Sequence, residues 1–322
     1  MPKTSVEKYG SVSGLTEQDV ENTRRFLHDT SIDALDTWTE ERTETHYIGV
    51  SARPYRMVVD RQSSQAAVVV TGEFATGITP FAVARARVVR DMVAPDASLL
   101  LQPNAGAGQR DNMNFSLSER ATLRRGLALP LAHRLDRSLT EMGDPEDRTF
   151  YGPSQGGAIA LEYAATLDNV AVATLEAPNV IERSRLEMAR AFLGCGDLLK
   201  EVIKENYGED MTNAPVISLK GLARFIAAGS RSDNLAIIDV LCSGTAQQRM
   251  VSILENGGSV VHAYAQDDAV SPLDKNSKIA STMVNYEKYR SVQLEGDHSI
   301  SNNFALGGAL ARTAHKLLQT VV

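Results

Sequence analysis

The sequence predicts an α/β fold: an eight-stranded, mostly parallel sheet covered by helices on both faces. Three observations carry this. Residues 66–71, AAVVVT, are continuously apolar, as a strand buried on both faces is. Residues 148–178 read as strand, tight turn, helix, strand. Helical patterns then separate most of the later strand-like runs, which favours parallel pairing through crossover helices.

In chain order, residues 1–14 are polar and are expected to fray or drape over the surface. Residues 15–28 suit a helix, with Thr16 as N-cap and Val20, Thr23, Phe26 and Leu27 at helical spacing; 32–38 add a turn that holds Trp38, the only tryptophan. Residues 1–42 thus form an amino-terminal helical arm, either a packing extension or a contact surface. Runs 44–50 and 55–60 can pair across the turn at 51–54, and 66–71 is the third strand. A helix over 80–93 leads to a fourth strand at 99–102. Residues 117–142 read as one long helical segment, with Ser116 or Ser118 able to cap it. Strands five and six are 148–152 and 170–175, strands seven and eight are 259–264 and 289–294, and 306–322 is a closing helix. The core is therefore 43–178 with 258–322. Between its two parts, 179–257 holds helix-like runs at 181–193, 197–206, 217–228, 234–241 and 245–255, punctuated by Gly194, Gly196, Pro215 and Gly229; the last run can equally belong to the core.

Ser154 sits at the turn of 148–178, inside Gly152-Pro153-Ser154-Gln155-Gly156. This is a G-x-S-x-G elbow between a strand and a small-residue helix, the context that gives such a motif meaning. The strained turn lifts the hydroxyl clear of the sheet. Gly152 and Gly156 lie where a Cβ would collide with the neighbouring strand or helix. The first peptide N–H of the helix, on Gln155, points to where an oxyanion would form.

The stretch GPSQGGAIALEYAATLDNVAVATLEAP resembles the nucleophile region of the α/β-hydrolase superfamily, its esterase, lipase and haloperoxidase-like branch. The resemblance implies the α/β-hydrolase fold, with a helical cap over 179–257 whose underside Leu186, Met188, Phe192, Leu193, Leu222, Phe225 and Ile226 could line. It also implies the order Ser, acid, His. After the seventh strand, Gln266-Asp267-Asp268-Ala269-Val270-Ser271-Pro272 resembles the family's acid loop, in which an Asp stands four residues before a Pro. That register selects Asp268 and leaves Asp267 as a solvated neighbour. After the eighth strand, Glu295-Gly296-Asp297-His298 puts His298 where the family carries its base, with Asp297 in place of a usual second Gly. Thr71-Gly72-Glu73-Phe74 stands where many relatives have His-Gly and an apolar residue. The second oxyanion donor is assigned to the backbone N–H of Glu73, with Phe74 the alternative, beside Gln155. Thr71 and Glu73 depart from the family pattern. Glu176, at the end of the sixth strand, is read as a residue behind the site or at the cap hinge, and less readily as the acid. His133 and His262 are read as packing residues, and His28, His46 and His315 as surface residues.

The expected activity is that of a serine hydrolase: cleavage of a carboxylic ester or related acyl bond through an acyl-enzyme on Ser154, with His298 as base and Asp268 as its partner. The alternative is a catalytically weak scaffold that serves as a binding or structural component. The departures at Thr71 and Glu73 motivate that alternative, and the intact Ser-Asp-His set weighs against it.

Composition bounds the rest. A chain of 322 residues, 43% hydrophobic, can bury a large core. Its net charge of −7 offers no basic patch for nucleic acid. No signal segment opens the chain and no apolar run reaches the 18 or so residues of a membrane span, so a cytoplasmic location is expected. Cys195 and Cys242 fit no metal or redox spacing and are read as buried or half-buried free thiols. No metal or cofactor is expected. The expected partner is a small ester or acyl substrate, with the arm available for an oligomer.

Overall fold

The computed structural model describes residues 4–48, 53–72, 78–102, 115–127, 129–193, 232–298, 300 and 303–320. Among these, β1 (Thr43–Ile48), β2 (Arg53–Asp60), β3 (Ala66–Thr71), β4 (Ser98–Gln102), β5 (Asp147–Pro153), β6 (Ala171–Leu175), β7 (Ser259–Ala265) and β8 (Tyr289–Leu294) form one sheet in the order β1-β2-β4-β3-β5-β6-β7-β8. The β1–β2 and β2–β4 pairings are antiparallel and all others parallel. The sequence expectation of eight mostly parallel strands holds. β4, β6 and β7 are buried along their whole length, which is why their runs are apolar without alternation. β8 closes one edge and alternates, burying Val292 and Leu294 and exposing Ser291 and Gln293.

Strand periodicity divides the core in two. Val69, Leu100, Phe150 and Val172 face one side of the sheet, with α6 (Leu129–Glu141), α7 (Gln155–Ala164), α10 (Ala246–Glu255) and α11 (Leu273–Met283). Val68, Val70, Leu99 and Tyr151 face the other, with α4 (Pro80–Val93) and α12 (Phe304–Gln319). No helix among the described residues is long and apolar enough to cross a membrane.

The arm is more ordered than expected. Residues 5–13, read as frayed, form α1 (Ser5–Ser13), because Thr4 and Glu7 cap each other reciprocally and Gly14 ends the helix at φ +74°. Tyr9 of this helix is buried, and its hydroxyl donates to the Glu295 carbonyl at 3.0 Å. α2 (Glu17–Asp29) starts at Thr16 as expected, and α3 (Ile32–Arg42) runs past the single turn foreseen. Leu15, Val20, Leu27 and Leu35 are buried in the same apolar cluster as Val68, Val70 and the helices α4 and α12, so the arm's apolar face is a packing extension of the sheet's second face. The Arg87 guanidinium of α4 lies over both Phe26 and Trp38, 4.8 Å from each ring centre.

Three further readings need correction. The single helix expected over 117–142 is two, α5 (Leu117–Leu123) and α6. Gly126 turns the chain between them at φ +80°, pressed against Ser243. Ser116 caps α5, in a box with Glu119. His133, read as a packing residue, is exposed on α6. His315, read as surface, is half-buried, 3.0 Å from Thr149 Oγ1 and 3.6 Å from Asp147. His28 is exposed beside Asp29.

Within 179–257 the structure describes a 3-10 turn (Pro178–Val180), α8 (Arg185–Leu193), α9 (Ser232–Leu241) and α10. Ala246, Met250 and Ile253 of α10 are buried in the cluster on the α7 side of the sheet, as are Met188 of α8 and Ala236, Ile237 and Val240 of α9. Of the residues offered as a cap underside, Met188 is buried and Leu186 is 61% exposed. Leu222, Phe225 and Ile226, the helical runs expected at 197–206 and 217–228, and Cys195 lie outside the described residues, as do the side chains of His46, Phe192 and Leu193. Cys242 is buried, and burial pushes its thiol up to about 11, which leaves it inert at neutral pH.

Candidate active site

Parallel strands all point one way, so the loops after β5, β6, β7 and β8 gather at one edge of the sheet. Ser154 follows β5 directly. Its φ of +48° and ψ of −124° fit neither strand nor helix, and its N–H is tied to the Leu175 carbonyl at 2.7 Å. The chain can bend this sharply because glycines stand two residues before and two after it: a Cβ on Gly152 would strike the Gly156 carbonyl, and one on Gly156 would strike the Thr71 carbonyl. Thr71 answers from β3. Its buried hydroxyl donates to the Gly156 carbonyl at 2.7 Å, stitching the third strand to the elbow. The departure at Thr71 therefore has a structural task that a sequence pattern does not reveal.

The three distant side chains meet. Ser154 Oγ lies 2.8 Å from His298 Nε2, and His298 Nδ1 lies 2.9 Å from Asp268 Oδ2. Ser154, Asp268 and His298 are all buried. Asp268 Oδ1 accepts the N–H groups of Val270 and Ser271 at 2.7 and 2.9 Å, so the acid loop turns around its own carboxylate. Asp267 is exposed, as the register argument requires. An ionised Asp268 can only accept, which puts a proton on Nδ1 and leaves Nε2 to accept from Ser154. Gln155 is the first residue of α7, so its peptide N–H lies at the positive end of the helix. Glu73 and its alternative Phe74 lie outside the described residues.

Two supports for the acid loop went unseen in the sequence. Arg183 donates to the carbonyls of Ala269 (3.4 Å), Pro178 (3.3 Å) and Val270, tying the loop to the segment that leaves β6. No spacing signal marks it. Behind the loop, Asn276 Nδ2 reaches Ser271 O, Ser271 Oγ and Pro272 O at 2.8 to 3.0 Å, while its Oδ1 lies 2.8 Å from His262 Nε2. Asn276 therefore accepts from a proton on Nε2, and His262 Nδ1 accepts from Tyr289 at 3.0 Å. Burial holds His262 neutral, its pKa depressed to about 4, against the weaker opposing pull of Asn276. His262 is a packing residue, as expected, but one whose packing is polar.

Among the described residues, the one group of three His, Cys, Asp or Glu side chains close enough to share a metal is Glu176, Asp268 and His298, whose ligand atoms lie within 4.8 Å of one another. Both nitrogens of His298 already face partners, Ser154 and Asp268.

No family model matches the sequence, and no curated protein matches it. Solved structures do. A loop variant of a haloalkane dehalogenase from Bradyrhizobium elkanii is 16% identical at a TM-score of 0.52, covering 86% of this chain and 96% of its own. A protein assigned as a lipase from Acinetobacter baumannii AYE is 14% identical at 0.51, covering 84% and 89%. A thioesterase domain from the curacin biosynthetic pathway is 13% identical at 0.50, covering 86% and 99%. At such identities the likeness speaks for architecture alone, and by that architecture the chain has the α/β-hydrolase fold.

Proposed function

We propose that the protein is a serine hydrolase that cleaves a carboxylic ester, or a related acyl bond, through an acyl-enzyme intermediate. The observation that carries the reading is the continuous chain Ser154 Oγ–His298–Asp268, with contacts of 2.8 and 2.9 Å. His298 Nε2 takes the hydroxyl proton as Oγ bonds to the carbonyl carbon and the carbonyl electron pair moves to oxygen. The Gln155 N–H holds that oxygen, and the backbone of Glu73 or Phe74 is the proposed second donor. Asp268 keeps Nδ1 protonated and offsets the charge of the imidazolium. His298 then gives the proton to the leaving alcohol. Water, deprotonated by the same imidazole, attacks the acyl-enzyme and frees Ser154.

A serine nucleophile argues against dehalogenation, which in this fold needs an Asp at the elbow. The structural neighbours span several reactions, so the fold does not choose the bond. The helices proposed as a cap over 179–257 would set acyl and alcohol preference. A scaffold without turnover would have no physical reason to keep the serine, imidazole and carboxylate in register.

Labelling with a fluorophosphonate probe tests the reading. Ser154 should be modified, with labelling lost in Ser154→Ala and strongly reduced in His298→Ala. A well-folded protein that takes no label would sink the proposal. An acyl-length series of p-nitrophenyl esters then separates substrates: a peak at a definite length supports an ester enzyme with an enclosing cap, and flat trace rates count against an ester.

A further inference from the structure

His298 faces one carboxylate more than the proposed mechanism uses. Glu176 Oε2 lies 3.8 Å from His298 Nδ1, the nitrogen that Asp268 Oδ2 meets at 2.9 Å. The Glu176 side chain is fully buried. Its backbone is fixed where β6 ends: φ is +58°, a conformation that side chains with a Cβ rarely adopt, and its N–H is held by the Ala263 carbonyl of β7 at 2.9 Å. Burying a carboxylate and bending a non-glycine residue into this region both cost free energy. A glycine and an apolar neighbour would end the strand with neither cost. At both costs, the site holds a second acidic oxygen beside the ring nitrogen that must stay protonated.

Resting on the serine-hydrolase reading above, we propose that Glu176 is a positioning residue, a second acid behind Asp268. With Asp268 in place it adds to the field that stabilises the imidazolium. With Asp268 removed it closes the remaining gap and accepts the Nδ1 proton itself as a hydrogen bond. A shift of about 1 Å takes 3.8 Å to hydrogen-bond length. Neither carboxylate takes the proton in either arrangement; it stays on Nδ1 while Nε2 cycles.

This predicts an inverted order among Asp268 variants. In Asp268→Asn, Oδ1 can still accept from Val270 and Ser271, but the amide nitrogen presents a donor to Nδ1 and favours the wrong tautomer. A change of that kind costs about 10⁴ in kcat in a serine-protease triad. In Asp268→Ala the space is vacated and Glu176 can reach the ring. On p-nitrophenyl butyrate, Asp268→Ala should stay within about 10²-fold of the native kcat, above the more conservative Asp268→Asn, and Asp268→Ala/Glu176→Gln should fall to the Asn level, near 10⁴. KM should change little throughout, whereas a packing defect would move it together with the melting temperature. Equal kcat for Asp268→Ala and the double variant would overturn the proposal. If Asp268→Ala does not fold, Glu176→Gln in the otherwise native chain decides: kcat lowered several-fold at unchanged KM supports it, and native kcat refutes it. A native chain that neither takes a fluorophosphonate nor turns over would instead remove the hydrolase reading and this inference with it, so the two failures are distinguishable.

Discussion

Ser154 and Glu176 are both held at positive φ, at the ends of adjacent parallel strands, and both aim a polar side chain at His298. Strain of this kind persists only where surrounding contacts over-determine it. For Ser154 the contacts are the glycines on either side and Thr71. The Thr71 hydroxyl lies 2.7 Å from the Gly156 carbonyl and 3.3 Å from the Tyr151 carbonyl, with no exposure to solvent. Thr71→Val keeps the shape and removes the donor, leaving a buried carbonyl short of a partner. We expect a stability loss of about 1–3 kcal/mol, read by urea unfolding, with a lower kcat because the elbow is free to relax. Thr71→Ser, which restores the hydroxyl, should recover most of both. A valine variant as stable and as active as the native chain would show that the glycines alone hold the bend.

Between elements, a two-bonded charged link joins α7 behind the elbow to α10. Arg249 donates two bonds of 2.8 Å to the Glu162 carboxylate, whose side chain is only 3% exposed. Burial raises the Glu162 pKa, and Arg249 opposes the rise without cancelling it. Removing only the cation strands a buried carboxylate. Arg249→Leu should therefore cost about 3 kcal/mol, the low end for such pairs because the Arg249 side chain is 23% exposed. Glu162→Gln/Arg249→Leu should recover part of that loss in urea unfolding; a double variant weaker than Arg249→Leu would refute the account. This link also explains what could be read from the chain. The apolar runs of β3, β4 and β7 and the elbow were legible because full burial and a forced turn leave a mark at each position. Asp268 was legible through its register to Pro272, and His298 through the strand before it. α1 was not, because its stability comes from a cap at Thr4 and one buried tyrosine rather than a periodic stripe. The break between α5 and α6 rests on one glycine, and the roles of Arg249 and Arg183 rest on partners 87 positions away in the chain, Glu162 and Val270. Local patterns carry no record of such pairs.

Across the whole molecule, acid should loosen the fold in two stages. His262, deep beside Tyr289, Tyr264 and Asn276, has its pKa pulled by burial from an ordinary 6.5 to about 4. Above pH 6.5 neither the folded nor the unfolded chain protonates it, and it contributes no pH dependence. As pH falls from 6.5 towards 4 the unfolded chain takes up a proton that the native site refuses, so stability drops, by about 3 kcal/mol in all. The second stage lies lower. Burial works against the ionised Asp19 and Asp60, but hydrogen bonds from Arg312 and Thr16 to the first, and from Arg42 and Arg90 to the second, outweigh it and hold both below the usual carboxylate range. Their contribution is intact above about pH 4 and is lost only as pH falls further through their folded-state values. Glu162, raised instead, changes in the opposite sense, but equally in any His262 variant. The difference between native chain and variant thus isolates His262. His262→Gln keeps a hydrogen-bonding group between Tyr289 and Asn276 and cannot titrate. Urea unfolding at pH 7 and pH 4.5 should show the native chain losing about 2–3 kcal/mol more than the variant over that interval. Because Asn276 holds the Asp268 loop, the same loss should appear as early acid inactivation of the native chain. Equal losses in the two proteins would mean that the imidazole is solvated in the folded state and that the buried Tyr289–His262–Asn276 chain is wrong.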